Sequence, residues 1–126
     1  MPHVFLPEQH ALLFGIVARQ ARVAAGQAGL DAVADGVKAY ALQRGGRMRA
    51  RALANGDPLT FATYMAYSEW AAPAGSMQVD TVRRSPAHIT QTLRCPWHAA
   101  WGAHGMMEEG YSYCKYIDEY LVRGFN

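Results

Sequence analysis

The sequence predicts an α+β fold, with helices packed on a small antiparallel sheet. Three observations point there. Apolar residues recur three and four apart through the first half of the chain. Two runs between 77 and 93 alternate β-branched and polar residues about an Arg-Ser-Pro turn, and helical spacing returns from Pro96 onward. At 126 residues the chain is long enough for one domain and one core. Within a single domain, 1–126, positions 1–70 are expected to be mostly helical, 77–93 a β-hairpin, and 96–122 a helical segment.

Residues 1–6 read as a short tail or strand ended by Pro7. Leu12/Leu13, Ile16/Val17, Ala21 and Val23/Ala24 then trace one face of a helix as far as about 28, with Glu8 suited to its first turn. Leu30, Val33, Val37 and Ala41 continue that spacing as a second helix over about 31–43, which Gly45-Gly46 is expected to interrupt. A basic helical turn or two follows over 47–54, stopped by Asn55-Gly56. Asp57-Pro58 reads as a cap with proline at the first helical position, and 60–70 as a short helix. A Pro/Gly loop over 71–76 leads to the predicted strands at 77–84 and 87–93. Helix then runs from Pro96 to Gly110, read as a C-cap, and a last helix covers about 111–122.

The gross numbers exclude several functions. A formal charge of +2 is too small for a nucleic-acid binder, which would carry a basic stripe. The one basic cluster, Arg44, Arg47, Arg49 and Arg51, reads as a solvated helix face. No apolar run approaches the roughly 18 residues of a membrane span, and the N-terminus has no secretory pattern. Two cysteines are too few for a disulfide framework, so a cytoplasmic protein with reduced thiols is expected.

Both cysteines fall in the last quarter, each beside other reactive side chains. Cys95 stands at a strand-to-helix junction, before a proline suited to the first helical position and three residues before His98. A thiol there faces unpaired backbone N–H groups, and a histidine at that distance can take its proton, so the two form a candidate nucleophile pair. The alternative is a small buried residue beside an exposed histidine. Cys114 and Asp118 are four apart and would share a face of a regular helix, with Glu108 or Glu109 able to add a carboxylate. The alternative there is a core cysteine, with Asp118 pairing Lys115. The residues do not separate Cys95 from Cys114 as the reactive thiol.

Arg94 and Lys115 could hold a substrate carboxylate, and Trp97 and Tyr111 could line a pocket for a flat ring. No cofactor is predicted. Zinc is the alternative, with Cys95, His98, Cys114 and either His104 or Asp118 as ligand types, although their spacing matches no established zinc pattern. The chain contains no phosphate loop, nucleophile elbow or H-E-x-x-H.

The run RCPWHAAWGAHGMMEEGYSYCKYIDEYLVRGFN resembles the L-2-amino-thiazoline-4-carboxylic acid hydrolase family. There a C-P-aromatic segment leads into a helix, a glycine, and a C-x-x-x-D helix closing on G-F-N. A fainter likeness spans 46–61 and Trp70. The resemblance implies a hydrolase that opens a small carboxylate-bearing heterocycle, a cyclic amidine of the 2-aminothiazoline-4-carboxylate kind, by a Cys-dependent mechanism. Cys95, Cys114 and Asp118 fall on the family's motif positions, and Gly124-Phe125-Asn126 on its closing motif. The corresponding roles are Cys95 as nucleophile, His98 as its base or proton donor, and Asp118 as the group orienting water or ring nitrogen. Family members usually continue past G-F-N with a further strand, so a homo-oligomer or a small partner subunit is expected beside the small-molecule substrate. The alternatives are a non-catalytic small-molecule binding or sensory domain and a Cys-ligated metal module.

Overall fold

The apolar spacing of the N-terminal half folds as one long element. The structure is a computed structural model describing residues 6–69, 78–83 and 88–126. Helix α1 (Leu6–Ala54) has Pro7 in its first turn, where a missing N–H is tolerated, and Glu8 at the positive end of the helix dipole. It bends at Gly26, whose φ of 60° and ψ of −139° suit glycine alone, and this divides α1 into two arms.

The expected interruption at Gly45-Gly46 does not occur. A glycine costs a helix only about 1 kcal/mol, and packing recovers it here. A Cβ on Gly45 would strike the carbonyl oxygen of Leu121 and lie 2.9 Å from the Cα of Gly124. The bare backbone is what lets another helix lie against α1.

Asn55-Gly56 does stop the helix. The Asp57 N–H donates to the Ala52 carbonyl at 2.9 Å and the Gly56 N–H to Leu53 at 3.0 Å, with Gly56 at φ 75°, a closed glycine cap. The short helix expected next is α2 (Phe61–Ala66), but its N-cap is Thr60 rather than Asp57. The Thr60 hydroxyl accepts from the Thr63 N–H at 3.3 Å, while the Asp57 carboxylate instead accepts from the Tyr67 hydroxyl at 2.6 Å.

Strands β1 (Gln78–Arg83) and β2 (His88–Arg94) pair antiparallel, from Gln78 opposite Arg94 to Arg83 opposite His88. The expected N-terminal tail or strand (its first five residues), the loop over 71–76 and the turn at 84–86 lie outside the described residues.

The helical region after β2 divides into three helices where two were expected: α3 (Pro96–Ala103), α4 (Met107–Cys114) and α5 (Ile117–Phe125). Gly105, at φ 65°, closes α3 as Gly56 closes α1, with the Met106 N–H on the Trp101 carbonyl at 2.8 Å. Gly110 is no C-cap. It sits inside α4 against the face of Trp101, where any Cβ would strike the indole.

The α+β class is therefore corrected. Among the described side chains the core is helix on helix. One cluster joins Val37, Ala41, Met48 and Ala52 of α1 to Ile117, Leu121 and Phe125 of α5. The second joins Ala11 of the first arm to Ala100, Trp101 and Met106. Phe14 packs against both. The Trp101 indole N–H donates to the Ala11 carbonyl at 2.7 Å, which satisfies its one polar atom. The hairpin was read as a platform because alternation suggests one buried face. The surface on which the C-terminal helices pack is that of α1.

Glu108 and Glu109, read as possible site carboxylates, serve the fold. The buried Glu109 carboxylate accepts from Arg19 Nε at 3.0 Å and from Arg22 at 2.8 Å, while Arg22 also reaches Glu108 at 2.8 Å. Arg19 closes the clamp on the Gly105 carbonyl at 2.6 Å. Burial alone would raise the Glu109 carboxyl. The Arg19 hydrogen bond, a backbone hydrogen bond and the two guanidinium charges outweigh it and hold the group below its ordinary value.

Candidate active site

Cys95 occupies the N-cap of α3, with extended backbone (φ −139°, ψ 128°) and Pro96 at the start of the helix. Its carbonyl takes the first helical hydrogen bond, from the Ala99 N–H at 3.0 Å, and its side chain makes no capping bond. The thiol is free and half-buried. Arg94 ends β2 one residue earlier. Trp97 stacks on Tyr113 at 6.4 Å between ring centroids, with planes 28° apart. That ring pair holds the start of α3 beside the end of α4, where Cys114 lies.

His98, Tyr111 and Cys114 line one small open cleft of about 180 Å³, with Trp101, Met107 and Gly110 as its apolar wall. Lys115 turns to ring faces, 5.9 Å from the Tyr111 centroid and 5.4 Å from that of Tyr116. It forms no ion pair with Asp118 among the described residues. Trp97 belongs to the packing between α3 and α4 as much as to any pocket wall.

Cys114 and Asp118 do not share one regular helix, because α4 ends at Cys114 and α5 begins at Ile117. The two side chains nonetheless stay coupled. Cys114 is exposed along one wall of the cleft, and desolvation there pushes its thiol up to about 11, with Cys95 and Asp118 adding to the shift. Burial also raises the Asp118 carboxyl, against the pull of Arg44. Tyr113, close to the same groups, is pushed up to about 12, chiefly by burial. Cys114 thus lies within electrostatic reach of both Cys95 and Asp118. Asp118 is itself exposed at the start of α5.

Arg44 is the residue that sequence reading missed. Arg47, Arg49 and Arg51 are exposed, and Arg47 holds Glu69 at 2.8 Å. Arg44 is only 6% exposed. Its guanidinium lies over the Tyr40 ring at 5.5 Å, and its charge is felt by Asp118, Tyr64 and Tyr113. The signal was present in the spacing. Val37, Ala41, Arg44, Met48 and Ala52 form one stripe of α1, so the arginine shares a face with the core.

Among the described residues, no group of three or more His, Cys, Asp and Glu side chains converges in a way that could hold a metal ion. No helix is long and apolar enough to cross a membrane.

The sequence matches the L-2-amino-thiazoline-4-carboxylic acid hydrolase family over residues 8–126, nearly its whole length. The chain belongs to that family. No curated relative and no solved structure matches it. Within this hydrolase-family chain the closing motif has a packing role. Gly124 lies against the backbone of Leu42, and Phe125 is buried at 2% exposure beside Tyr64. Cys95 stands at the N-cap of α3, Cys114 at the end of α4 and Asp118 in the first turn of α5, and of the three only Cys114 lines the cleft.

Proposed function

We propose that this protein hydrolyses a small carboxylate-bearing cyclic amidine, of the 2-aminothiazoline-4-carboxylate kind, through a covalent intermediate on Cys95. The observation that carries this reading is the match to the hydrolase family from residue 8 to 126, and the free, half-buried thiol of Cys95 at the N-cap of α3 supports the choice of nucleophile.

The Cys95 sulfur, as thiolate, attacks the ring carbon between nitrogen and sulfur. The carbon–sulfur bond of the ring breaks, and the ring sulfur leaves with a proton as a free thiol. The product side then hangs from Cys95 as an isothiourea. Water attacks the same carbon and Cys95 departs as thiolate, leaving a ureido acid with a free thiol. The sum is substrate plus one water. His98 takes the Cys95 proton and returns one to the leaving sulfur. Asp118, its carboxyl raised by burial, holds the ring nitrogen or the attacking water. Cys114, pushed up to about 11, stays a thiol near neutral pH and so is the weaker candidate nucleophile. Tyr111 flanks the ring, and the apolar wall of the cleft limits access to small heterocycles.

Incubating the purified protein with 2-amino-thiazoline-4-carboxylate and following free thiol tests the reaction class. Steady thiol release is expected. A folded sample that binds the compound without releasing thiol would support the binding-domain alternative instead.

A further inference from the structure

The first arm of α1 presents two unlike faces. Ala11, Gly15 and Ala18 are buried, with Ala11 and Gly15 against Met106, while Arg19 and Arg22 reach across to Glu109. The opposite face is apolar and open. Leu13 is 63% exposed, Ile16 53%, Val17 52% and Val23 74%, all on the arm that precedes the bend at Gly26.

The spacing of that face is the spacing of a helix-packing seam. Leu13, Ile16 and Val17 are followed seven residues on by Gln20, Val23 and Ala24, and all six are exposed. A seven-residue apolar repeat is what one helix offers to another. Charge is absent from it, since the exposed residues from Gln9 to Ala28 include no Asp, Glu, Lys or Arg. The second arm, by contrast, exposes Asp31, Asp35, Arg47, Arg49 and Arg51. Depletion of charge marks the core of an interface rather than a solvated face.

The one polar position in the seam selects its partner. Gln20 lies mid-stripe, with Ile16 and Val17 before it and Val23 and Ala24 after it. An amide covered there needs both a donor and an acceptor opposite. The Gln20 of a second copy offers both, and a two-fold pairing centred on the stripe brings it there. That pairing also sets no like charges against each other. An acidic or basic partner would find no opposite charge on this face. A membrane-surface helix would hold Lys or Arg free for headgroups, whereas Arg19 and Arg22 are engaged by Glu108 and Glu109.

We propose that the outward face of the first arm of α1 is the interface of a homodimer. Leu13, Ile16, Val17 and Val23 pack on a second copy, and the two Gln20 amides bond to each other across a two-fold axis. The dimer is independent of the hydrolytic reading. Twelve residues of seam span about 18 Å of helix, at the small end of specific interfaces, so the dimer dissociates on dilution.

Size-exclusion chromatography with light scattering tests this on the wild-type chain across a dilution series. Twice the chain mass of 13.9 kDa is expected at high concentration, falling toward the chain mass on dilution. Ile16→Lys combined with Val23→Lys sets like charges into the seam and is expected to be monomeric throughout. Both positions are more than half exposed, so the circular dichroism of this variant is expected to match wild type. Position 20 gives a second measurement. With Cys95 and Cys114 both changed to serine, Gln20→Cys is expected to form a disulfide-linked dimer under diamide. Ala39→Cys, exposed on the second arm, is expected to stay largely monomeric. A wild-type chain that is monomeric at every concentration would overturn the interface. So would a dimer that persists in the double-lysine variant, or Gln20→Cys crosslinking no better than Ala39→Cys. A monomer that instead binds neutral lipid vesicles through Ile16 and Val23 would give the face to a membrane surface and overturn the dimer.

Discussion

Gly45 and Gly124 meet where α1 and α5 cross, each leaving room for the other helix's backbone. A Cβ on Gly124 would lie 2.5 Å from the Leu42 carbonyl oxygen and 3.0 Å from its Cα, and one on Gly45 would lie 2.9 Å from the Phe125 nitrogen. The obstructing atoms are backbone and cannot rotate away. This crossing seats Ile117, Leu121 and Phe125 in the larger core and fixes the start of α5, where Asp118 projects.

Alanine at either glycine forces the helices apart. Gly45→Ala and Gly124→Ala are each expected to lower stability by about 1–3 kcal/mol, despite alanine's better helix propensity. Urea unfolding followed by circular dichroism reads this directly. A stabilised Gly45→Ala protein would show that the close crossing is not what the glycine serves.

The glycine pair also marks how far the sequence could be read. Helix, cap and hairpin signals were legible locally, as Asn55-Gly56 and the 78–94 pairing show. Gly45-Gly46 misled because the same residue that weakens an isolated helix also permits a close crossing, and only the partner helix decides between them. Gly110 misled for the same reason, its partner being the Trp101 ring. A helix boundary close to Gly26 was legible in the spacing, but nothing local reveals that both arms of α1 pack against the C-terminal helices. The cysteine motifs were legible as motifs, while the helix break between Cys114 and Asp118 was not foreseen from spacing alone. Arg44 was hidden by its neighbours, since three exposed arginines nearby made the run look like one solvated face.

Clamping of α4 by the first arm of α1 should respond to acid. Glu109 has a folded-state value below its ordinary one, so its contribution is complete above that ordinary value and disappears as pH falls through the depressed value. Glu109→Gln is expected to cost about 1–3 kcal/mol near neutral pH, with the partial exposure of Arg19 and Arg22 keeping it toward the lower end. Below the carboxylate range the variant and wild type should converge. Urea midpoints measured from pH 7 down to pH 3 would check this, and a gap that stays constant with pH would exclude the clamp as its source.

Cys114 should be slow to alkylate. With its thiol pushed up to about 11, its labelling by iodoacetamide in a Cys95→Ser background should stay low near neutral pH. The rate should keep climbing with pH until close to that value. Peptide mass spectrometry across a pH series measures it. A plateau reached below pH 9 would mean that the thiol is better solvated than its setting between Cys95 and Asp118 implies.

His98 lines the cleft with Cys114 and sits one turn into the helix that Cys95 caps. As the group moving the nucleophile's proton, it should be worth about 10²–10⁴-fold in kcat. His98→Gln should therefore slow thiol release by that order with KM little changed. A variant that loses only KM would assign His98 to binding.

The central claim is that Cys95 carries the ring-opened intermediate. The rate of thiol release from 2-amino-thiazoline-4-carboxylate should be compared between wild type, Cys95→Ser and Cys114→Ser, with circular dichroism confirming that all three are folded. The account predicts that Cys95→Ser loses turnover by several orders of magnitude while Cys114→Ser keeps most of it. Turnover by Cys95→Ser at the wild-type rate would contradict it.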